Sequence, residues 1–394
     1  MTEGKRLNLL LVCSGRLYGA KGGREKVLFD MANEFHRRGH AVTVICCDQF
    51  EVEESGFEDG VKVLWGGQRQ YVAQKINKLI NKIEAFSFSS LNRKLKRGEL
   101  EFRHVAKKIS CLVADELKPD VAVSFSPETT GALLKINKWM KGVPVPIITM
   151  LHTCPTVNPM LKLFSKDLES AGPIQVLANE YIDLIRDYAG IKDAVYIPNP
   201  VPQYRYTADR ASKKIVMVGR VDRAKRQHLV AEAFAKIKNK YPDWRVEFWG
   251  AISWDKKYTE EVKTLIMKNK LEDQVRLCGT TDNVADELKD ASIFAFPSTN
   301  EGFGLALCEA MSLGIPAIGW DQCPSVNTII KNGENGILCD CSVNSLAAAL
   351  DFLMEKEKRR IELGNAAKKA MENYSPEKVW GCWEDLLYRL SGTV

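Results

Sequence analysis

The chain has 394 residues, of which 45% are hydrophobic and 27% are charged, and its formal net charge is +6. This length is comfortable for two α/β domains, each able to bury its own core. The composition is ordinary for a soluble globular protein, and no apolar run reaches the roughly 18 residues that span a bilayer. The sequence therefore predicts two domains and excludes a membrane-crossing helix.

The first apolar run, residues 7–12, is too short for a secretory h-region and ends in no small-residue cleavage signal. The eleven cysteines are scattered and show neither a disulfide framework nor the spacing of zinc ligands. Reduced thiols in a cytoplasmic protein are the prediction that follows.

Short apolar runs alternate with amphipathic stretches in the N-terminal half, which is typical of βαβ units around a parallel sheet. Strands are predicted at residues 7–13, 41–46, 61–65, 120–125, 145–151 and 174–177. A helix is predicted over residues 23–38, with Gly39 as its C-terminal cap. Its apolar face comprises Val27, Leu28, Met31, Ala32 and Phe35.

Three prolines within residues 198–202 interrupt this alternation and indicate a linker. A second α/β series follows, with strands predicted at 215–218, 245–249, 275–278, 293–296, 316–319 and 337–339. We therefore predict an N-terminal domain (1–198), a C-terminal domain (199–375) and a final helix (376–394) that packs back toward the N-terminal domain. Two doubly wound, Rossmann-like domains facing a central cleft would bind ligands at the carboxyl ends of their strands.

A basic segment runs from Gln68 to Lys108, with eleven Lys and Arg against three Glu. Lys75, Lys78 and Lys82 interleave with apolar residues, which predicts a basic amphipathic helix. Such a surface attracts anionic lipid or polyanions. Because no nucleic-acid-binding module accompanies the charge, we favour a membrane surface over nucleic acid, with a solvated charged face as the plain alternative.

Two carboxylates, Glu301 and Glu309, bracket a glycine-containing turn after the strand predicted at 293–296. If a helix starts near Phe303 or Gly304, Glu301 lies in the loop ahead of it and Glu309 in its second turn. The free N–H groups of a helix N-terminus bind phosphate, and glycine lets the backbone approach closely. Since a carboxylate can accept hydrogen bonds from paired hydroxyls, Glu309 is suited to a ribose.

Two cations, Arg220 and Lys225, stand five residues apart in the turn after the strand predicted at 215–218. A diphosphate leaving group gains charge as its bond to a sugar breaks. Fixed Arg and Lys donors stabilise that charge most in the transition state. They could do so without a metal.

The run from Glu301 to Glu309, the turn at 219–226, Asn199 in the linker and the Gly22-Gly23 turn together resemble the retaining, metal-independent glycosyltransferases of family four, which have the GT-B fold. The resemblance spans nearly the whole chain. It implies transfer of a hexose-type sugar from a nucleotide-sugar, most commonly a UDP-sugar, with no cofactor. It also implies front-face substitution, in which the leaving phosphate assists deprotonation of the acceptor hydroxyl.

The resemblance also implies roles for residues of the C-terminal domain. Arg220 and Lys225 hold the diphosphate, Glu309 binds the ribose hydroxyls and Glu301 contacts the donor sugar. The backbone at Phe303, Gly304 and Leu305 faces the distal phosphate and the sugar.

In the N-terminal domain, the resemblance places His152 beside the transferred sugar, although a lone histidine at a strand end is more often a core residue. Gly22 and Gly23 form the loop that approaches the diphosphate. Two segments depart from the family pattern: the loop 14–25 is richer in cations, and residues 321–325 replace a glycine-rich turn. The glycine loop matches neither a P-loop nor a dinucleotide fingerprint.

Family members with lipid-linked acceptors often carry a basic surface in the N-terminal domain. The resemblance therefore favours an enzyme at the inner face of a bacterial membrane that acts in surface polysaccharide, lipopolysaccharide or glycan assembly. Transfer to a soluble small molecule or a glucan is one alternative, and a sugar-nucleotide-binding protein without activity is another. Donor base, sugar identity, linkage and oligomeric state are not legible from the residues.

Overall fold

A computed structural model describes residues 5–13, 22–46, 56–64, 117–137, 145–340 and 342–392. The chain divides into two compact units, the first formed by Met1–Ile197 with Trp380–Val394 and the second by Pro198–Val379. Among the described residues, no helix is long and apolar enough to cross a membrane.

The first unit contains a parallel sheet of seven strands in the order β3-β2-β1-β4-β5-β6-β7. In chain order they are β1 (Asn8–Cys13), β2 (Ala41–Cys46), β3 (Lys62–Leu64), β4 (Val121–Ser124), β5 (Ile147–Met150), β6 (Ile174–Val176) and β7 (Ala194–Tyr196). The order reverses between β1 and β4, which pair in parallel from Leu9 with Val121 onward. This is the topological switch point, where open α/β sheets bind ligands.

The helices described in the first unit are α1 (Gly23–Arg37), α2 (Pro127–Asn137), α3 (Met160–Leu163), α4 (Ser165–Ala171) and α5 (Glu180–Ala189). All five residues of the apolar face predicted for α1 are buried, so that prediction is confirmed. Gly39 adopts the left-handed conformation, with φ of +91°, and ends the helix as predicted.

Strand β7 was missed by the sequence-based prediction. It has three residues, lies at the edge of the sheet and has only partly buried side chains, so it carries no clear apolar signal. The strand predicted at 120–125 is shorter in the structure and spans Val121–Ser124, although the backbone N–H groups of Asp120 and Phe125 still donate to the carbonyl oxygens of Asn8 and Val12.

The second unit contains a parallel sheet in the order β10-β9-β8-β11-β12-β13. Its strands are β8 (Lys214–Val218), β9 (Arg245–Trp249), β10 (Val275–Gly279), β11 (Ile293–Phe296), β12 (Ala317–Trp320) and β13 (Gly336–Cys339). All six were predicted, with boundaries that differ by at most one residue. The switch point lies between β8 and β11, which are neighbours in the sheet although three strands apart in the chain.

The helices that begin in this unit are α6 (Gln227–Ile237), α7 (Lys256–Lys268), α8 (Val284–Leu288), α9 (Leu305–Ser312), α10 (Pro324–Ile329), α11 (Val343–Glu355), α12 (Glu357–Met371) and α13 (Pro376–Ser391). Arg360 of α12 is 2% exposed and donates to the carbonyl oxygen of Leu353 at 2.7 Å. A cation at the C-terminal end of α11 satisfies carbonyl groups that the helix leaves open.

The part of α13 that belongs to the first unit is anchored by aromatic and ionic contacts. The rings of Trp380 and Phe35 meet edge to face, with centroids 5.6 Å apart. Glu384 binds Arg38 and lies 3.3 Å from Nε2 of the buried His40. Nδ1 of His40 accepts from the backbone N–H of Leu7 at 3.2 Å, so the ring proton lies on Nε2 and is donated to Glu384.

We predict that Glu384→Ala destabilises the first unit by about 2 kcal/mol, since it leaves the buried N–H of His40 without its acceptor and Arg38 with one carboxylate fewer. Scanning calorimetry should show its melting temperature lowered by about 5 °C. Asp385→Ala removes a neighbouring but exposed carboxylate and serves as the control. Equal effects of the two substitutions would contradict the anchoring role of Glu384.

Candidate active site

Two turns meet at the switch point of the second sheet, one after β8 and one after β11. Lys225 lies in the first turn and Glu301 in the second, and Nζ of Lys225 forms an ion pair with Oε1 of Glu301. Both side chains are largely buried, with 18% and 11% of their surface exposed. The structure therefore brings together two of the predicted site residues that are 76 positions apart in the sequence.

The buried carboxylate of Asp222 organises the turn after β8. Its Oδ1 accepts from the backbone N–H of Lys225 at 3.0 Å, and its Oδ2 lies 3.4 Å from Nε of Arg220. The Arg220 guanidinium is half exposed and lies 4.3 Å from the ring centroid of Trp254. Sequence reasoning missed Asp222 and Trp254, although an Asp three residues before a cation that precedes a helix is a recognisable turn signal.

Gly250 lets the turn after β9 approach the turn after β8. Its φ is +145°, a conformation that side chains rarely adopt, and a Cβ atom built on it would lie 2.0 Å from the carbonyl oxygen of Gly219. Close backbone packing of this kind requires glycine. The segment that leads into Arg220 is therefore supported by the neighbouring turn.

Arg226 was also missed by the sequence-based prediction. It is the N-cap of α6 and has left-handed backbone angles, φ of +60° and ψ of 43°. Such a conformation costs a residue with a Cβ atom roughly 1 kcal/mol relative to glycine. Its guanidinium lies 4.2 Å from the ring centroid of Trp320, a favourable cation–π distance.

Helix α9 begins at Leu305, within one residue of the start that the sequence predicted near Phe303 or Gly304. Gly304 is its N-cap, with φ of +88°. Phe303 is buried and its ring meets that of Tyr374 at 5.6 Å, which anchors the loop ahead of the helix. Packing of Phe303 therefore fixes the start of α9. The N–H groups of its first turn have no partner within the helix and can bind an anion.

Glu309 lies in the second turn of α9, as predicted, and is 9% exposed. The sequence did not identify Tyr204, whose hydroxyl group is affected by the negative charge of Glu309. Burial, together with the charge of Glu309, raises the pKa of Tyr204 to about 12. A mostly buried carboxylate is a strong acceptor for hydroxyl groups.

Gly22 and Gly23 lie at the start of α1, beside the switch point of the first sheet. Gly22 is the N-cap and its carbonyl oxygen accepts from the N–H of Lys26 at 3.1 Å. The side chain of Glu25 occupies the space that a Cβ atom on Gly22 would need, at 2.2 Å from Oε2. Arg24 donates to the same carboxylate at 2.9 Å.

His152 follows β5, and its ring stacks on that of Phe125 with centroids 5.5 Å apart. Its Nε2 atom is buried and has no hydrogen-bond partner among the described residues. Burial, with a smaller contribution from the charge of Arg24, lowers the pKa of His152 to about 3. The imidazole is therefore neutral near pH 7, and its buried Nε2 has hydrogen-bonding capacity that the described residues leave unused.

Lys75, Lys78 and Lys82 lie outside the described residues, so the basic helix stays a prediction. Within the described ranges, no group of three or more His, Cys, Asp or Glu side chains could hold a metal ion. Metal independence remains a prediction from the sequence.

We predict that His152 makes the first unit less stable as the pH falls. Because its pKa is about 3 in the folded state and 6.5 ordinarily, the unfolded chain takes up the proton first, and stability is lost between about pH 6.5 and pH 3. Lowering the pH from about 7.5 to about 5 should reduce the melting temperature less in His152→Gln than in the wild type. His36→Gln, which changes a partly buried histidine of α1, is the control, and an identical pH dependence of all three proteins would contradict the assignment.

Part of the second unit matches a family model. Residues 205–370 match the model of glycosyl transferases group 1. An uncharacterised glycosyltransferase of Haemophilus influenzae is 23% identical over 376 residues, which cover 94% of this chain and 97% of that protein. The N-acetyl-alpha-D-glucosaminyl L-malate synthase of Bacillus anthracis is 26% identical over 68% of this chain and 71% of its own length.

A further relative, from Campylobacter jejuni, is 27% identical over 42% of this chain and 44% of its own length. Its name is N-acetylgalactosamine-N,N'-diacetylbacillosaminyl-diphospho-undecaprenol 4-alpha-N-acetylgalactosaminyltransferase. Among solved structures, HepE of Anabaena in complex with UDP and glucose superposes with a TM-score of 0.74 at 17% identity, over 98% of this chain and 100% of that chain.

The two parallel-sheet units and this structural neighbour establish the fold as GT-B. The family match contains the turns that hold Arg220, Lys225, Glu301 and Glu309. The chain therefore has the GT-B fold, and its segment 205–370 matches the group 1 glycosyl transferases, which supports a transferase that acts on a nucleotide-sugar.

Proposed function

We propose that the protein is a retaining, metal-independent glycosyltransferase that moves a hexose-type sugar from a UDP-sugar to a hydroxyl of a lipid-linked glycan. The observation that carries this proposal is the arrangement at the switch point of the second sheet. Lys225 is bound to Glu301, Asp222 orients Arg220, and the N-terminus of α9 begins just beyond Glu301. Cations beside free backbone N–H groups form a binding site for a diphosphate.

In this proposal each part of the donor meets a group of matching chemistry. Arg220, Lys225 and the N–H groups at Gly304 and Leu305 bind the diphosphate, and the Glu309 carboxylate accepts hydrogen bonds from the ribose hydroxyls. Glu301 contacts the sugar. The bound UDP in the Anabaena relative supports a uridine nucleotide as the carrier.

The proposed reaction is a front-face substitution at the anomeric carbon. The acceptor hydroxyl oxygen bonds to that carbon on the face from which the diphosphate leaves, so the configuration is retained. The bond between the carbon and the phosphate oxygen breaks, and its electron pair stays on that oxygen. The hydroxyl proton passes to the leaving phosphate, whose developing charge Arg220 and Lys225 stabilise.

We also propose that the neutral imidazole of His152 binds a hydroxyl of the transferred sugar, and that Gly22 and Gly23 approach its diphosphate. The buried Nε2 of His152, which has no partner among the described residues, supports the first role. A neutral ring can accept or donate a hydrogen bond without adding a charge next to the phosphates.

The lipid-linked acceptor is supported by the undecaprenol-linked substrate in the name of the Campylobacter jejuni relative and by the basic segment 68–108. In the proposal this segment holds the enzyme to an anionic membrane surface. A soluble acceptor is a second candidate, since the name of the Bacillus anthracis relative contains L-malate.

We predict that Glu309→Gln weakens UDP binding about tenfold, because a neutral amide is a weaker acceptor for ribose hydroxyls than a carboxylate. Titration calorimetry should show that the wild type prefers UDP to 2′-deoxy-UDP and that the variant has lost most of this preference. Glu272→Gln, which changes an exposed carboxylate of the same unit, is the control. An unchanged preference in Glu309→Gln would contradict the ribose assignment.

A separate assay of the wild type measures release of UDP from UDP-sugars. Binding without UDP release from any UDP-sugar would indicate a non-catalytic binding protein.

For the acceptor, we predict that exchanging Lys75, Lys78 and Lys82 for Glu abolishes co-sedimentation with phosphatidylglycerol vesicles and lowers transfer to polyprenyl-diphosphate-linked sugars presented in them. The control carries the same charge change at Lys256, Lys257 and Lys268, exposed lysines of α7. Transfer to L-malate with equal rates in all three proteins would instead favour the soluble acceptor.

A further inference from the structure

The turn 220–226 carries four cations, and three of them have carboxylate partners. Lys225 pairs with Glu301, Arg220 lies 3.4 Å from Asp222, and Arg223 binds Glu261 at 2.6 Å. The fourth cation, Arg226, forms no salt bridge within 4.0 Å with any described residue. The turn and its partners are therefore neutral apart from the guanidinium of Arg226.

Arg226 is held in a defined position rather than extended into solvent. Its guanidinium lies 4.2 Å from the ring centroid of Trp320, a residue that is 2% exposed and ends strand β12. No N–H group of this guanidinium donates a hydrogen bond to a described residue, so these donors can bind two oxygens of one anion.

The backbone conformation of Arg226 is unusual for an arginine. Its left-handed conformation suits glycine or asparagine, so the fold by itself favours a residue other than arginine here. A partly buried cation in an unfavourable conformation, without a counter-ion in the described chain, indicates a group that meets an anionic ligand.

The position of Arg226 and Trp320 in the sheet agrees with this interpretation. Trp254, beside which the guanidinium of Arg220 lies, follows β9, whereas Trp320 ends β12, and the ion pair of Lys225 with Glu301 lies between them at β8 and β11. The carboxyl edge of the sheet thus carries a row of three cations, and the donor proposed above extends along it.

We propose that Arg226 is a further donor-binding residue, which binds an oxyanion of the nucleotide-sugar through its in-plane N–H groups while Trp320 orients it. This inference rests on the proposed function. A phosphoryl group of the diphosphate and the carboxylate of an acidic sugar such as a uronic acid share the required chemistry.

The test is Arg226→Gly, because glycine fits the left-handed backbone without strain and removes only the side chain. We expect the melting temperature of the free protein to stay the same or rise. Arg223→Gln is the matched control, since it removes one positive charge from an exposed position of the same turn. Affinities for UDP, UDP-glucose, UDP-glucuronate and pyrophosphate would be measured by titration calorimetry.

A loss of tenfold or more for UDP, UDP-glucose and pyrophosphate in Arg226→Gly, with less than twofold in Arg223→Gln, would support binding to the diphosphate. A loss confined to UDP-glucuronate would support binding to a sugar carboxylate. Unchanged affinities in Arg226→Gly, or equal losses in both variants, would overturn the inference while leaving the proposed function intact. If the wild type binds pyrophosphate but none of the uridine nucleotides, the proposal of a UDP-sugar donor is wrong. The affinity of Arg226→Gly for pyrophosphate still decides the role of Arg226.

Discussion

The ion pair between Lys225 and Glu301 is the interaction on which the candidate site depends. Both groups are largely removed from water, so each costs free energy to bury and needs the other as its partner. Their attraction joins the turn after β8 to the turn after β11. Any anion that binds Lys225 must replace the carboxylate of Glu301, so such binding would be coupled to the position of the Glu301 loop.

The other site groups are arranged around this pair by backbone geometry. Asp222 orients both Arg220 and the N–H of Lys225, and Gly250 lets the neighbouring turn support the same segment. Gly304 turns the chain into α9 with a left-handed conformation. These features hold cations and N–H groups in fixed positions, which is the preorganisation that the proposed reaction requires.

Aromatic rings have a consistent role beside the cations. The guanidinium of Arg220 lies 4.3 Å from the ring centroid of Trp254, and that of Arg226 lies 4.2 Å from the ring centroid of Trp320, so each is held beside an aromatic ring. In the first unit, Phe125 stacks on His152, where burial keeps the imidazole neutral instead. Aromatic rings thus position cations in the second unit and a neutral imidazole in the first.

Much of the fold was predictable because parallel strands that are buried on both faces leave continuous apolar runs in the sequence. All six strands of the second sheet and the apolar face of α1 follow from such runs. The edge strand β7 was not predictable, since its three residues are only partly buried. Among site residues, Glu301 and Glu309 could be located relative to α9 because glycine before an apolar helix indicates where that helix begins.

The sequence by itself determined which chemical groups the chain offers near each strand end: four cations after β8, two carboxylates around the start of α9, and a histidine after β5. Only the tertiary structure decided which of them meet. Lys225 and Glu301 pair across 76 positions because β8 and β11 are neighbours at the switch point, and strand order leaves no local trace in the sequence. The same is true of Arg226, whose significance depends on a left-handed backbone and on a tryptophan that only folding brings within 4.2 Å.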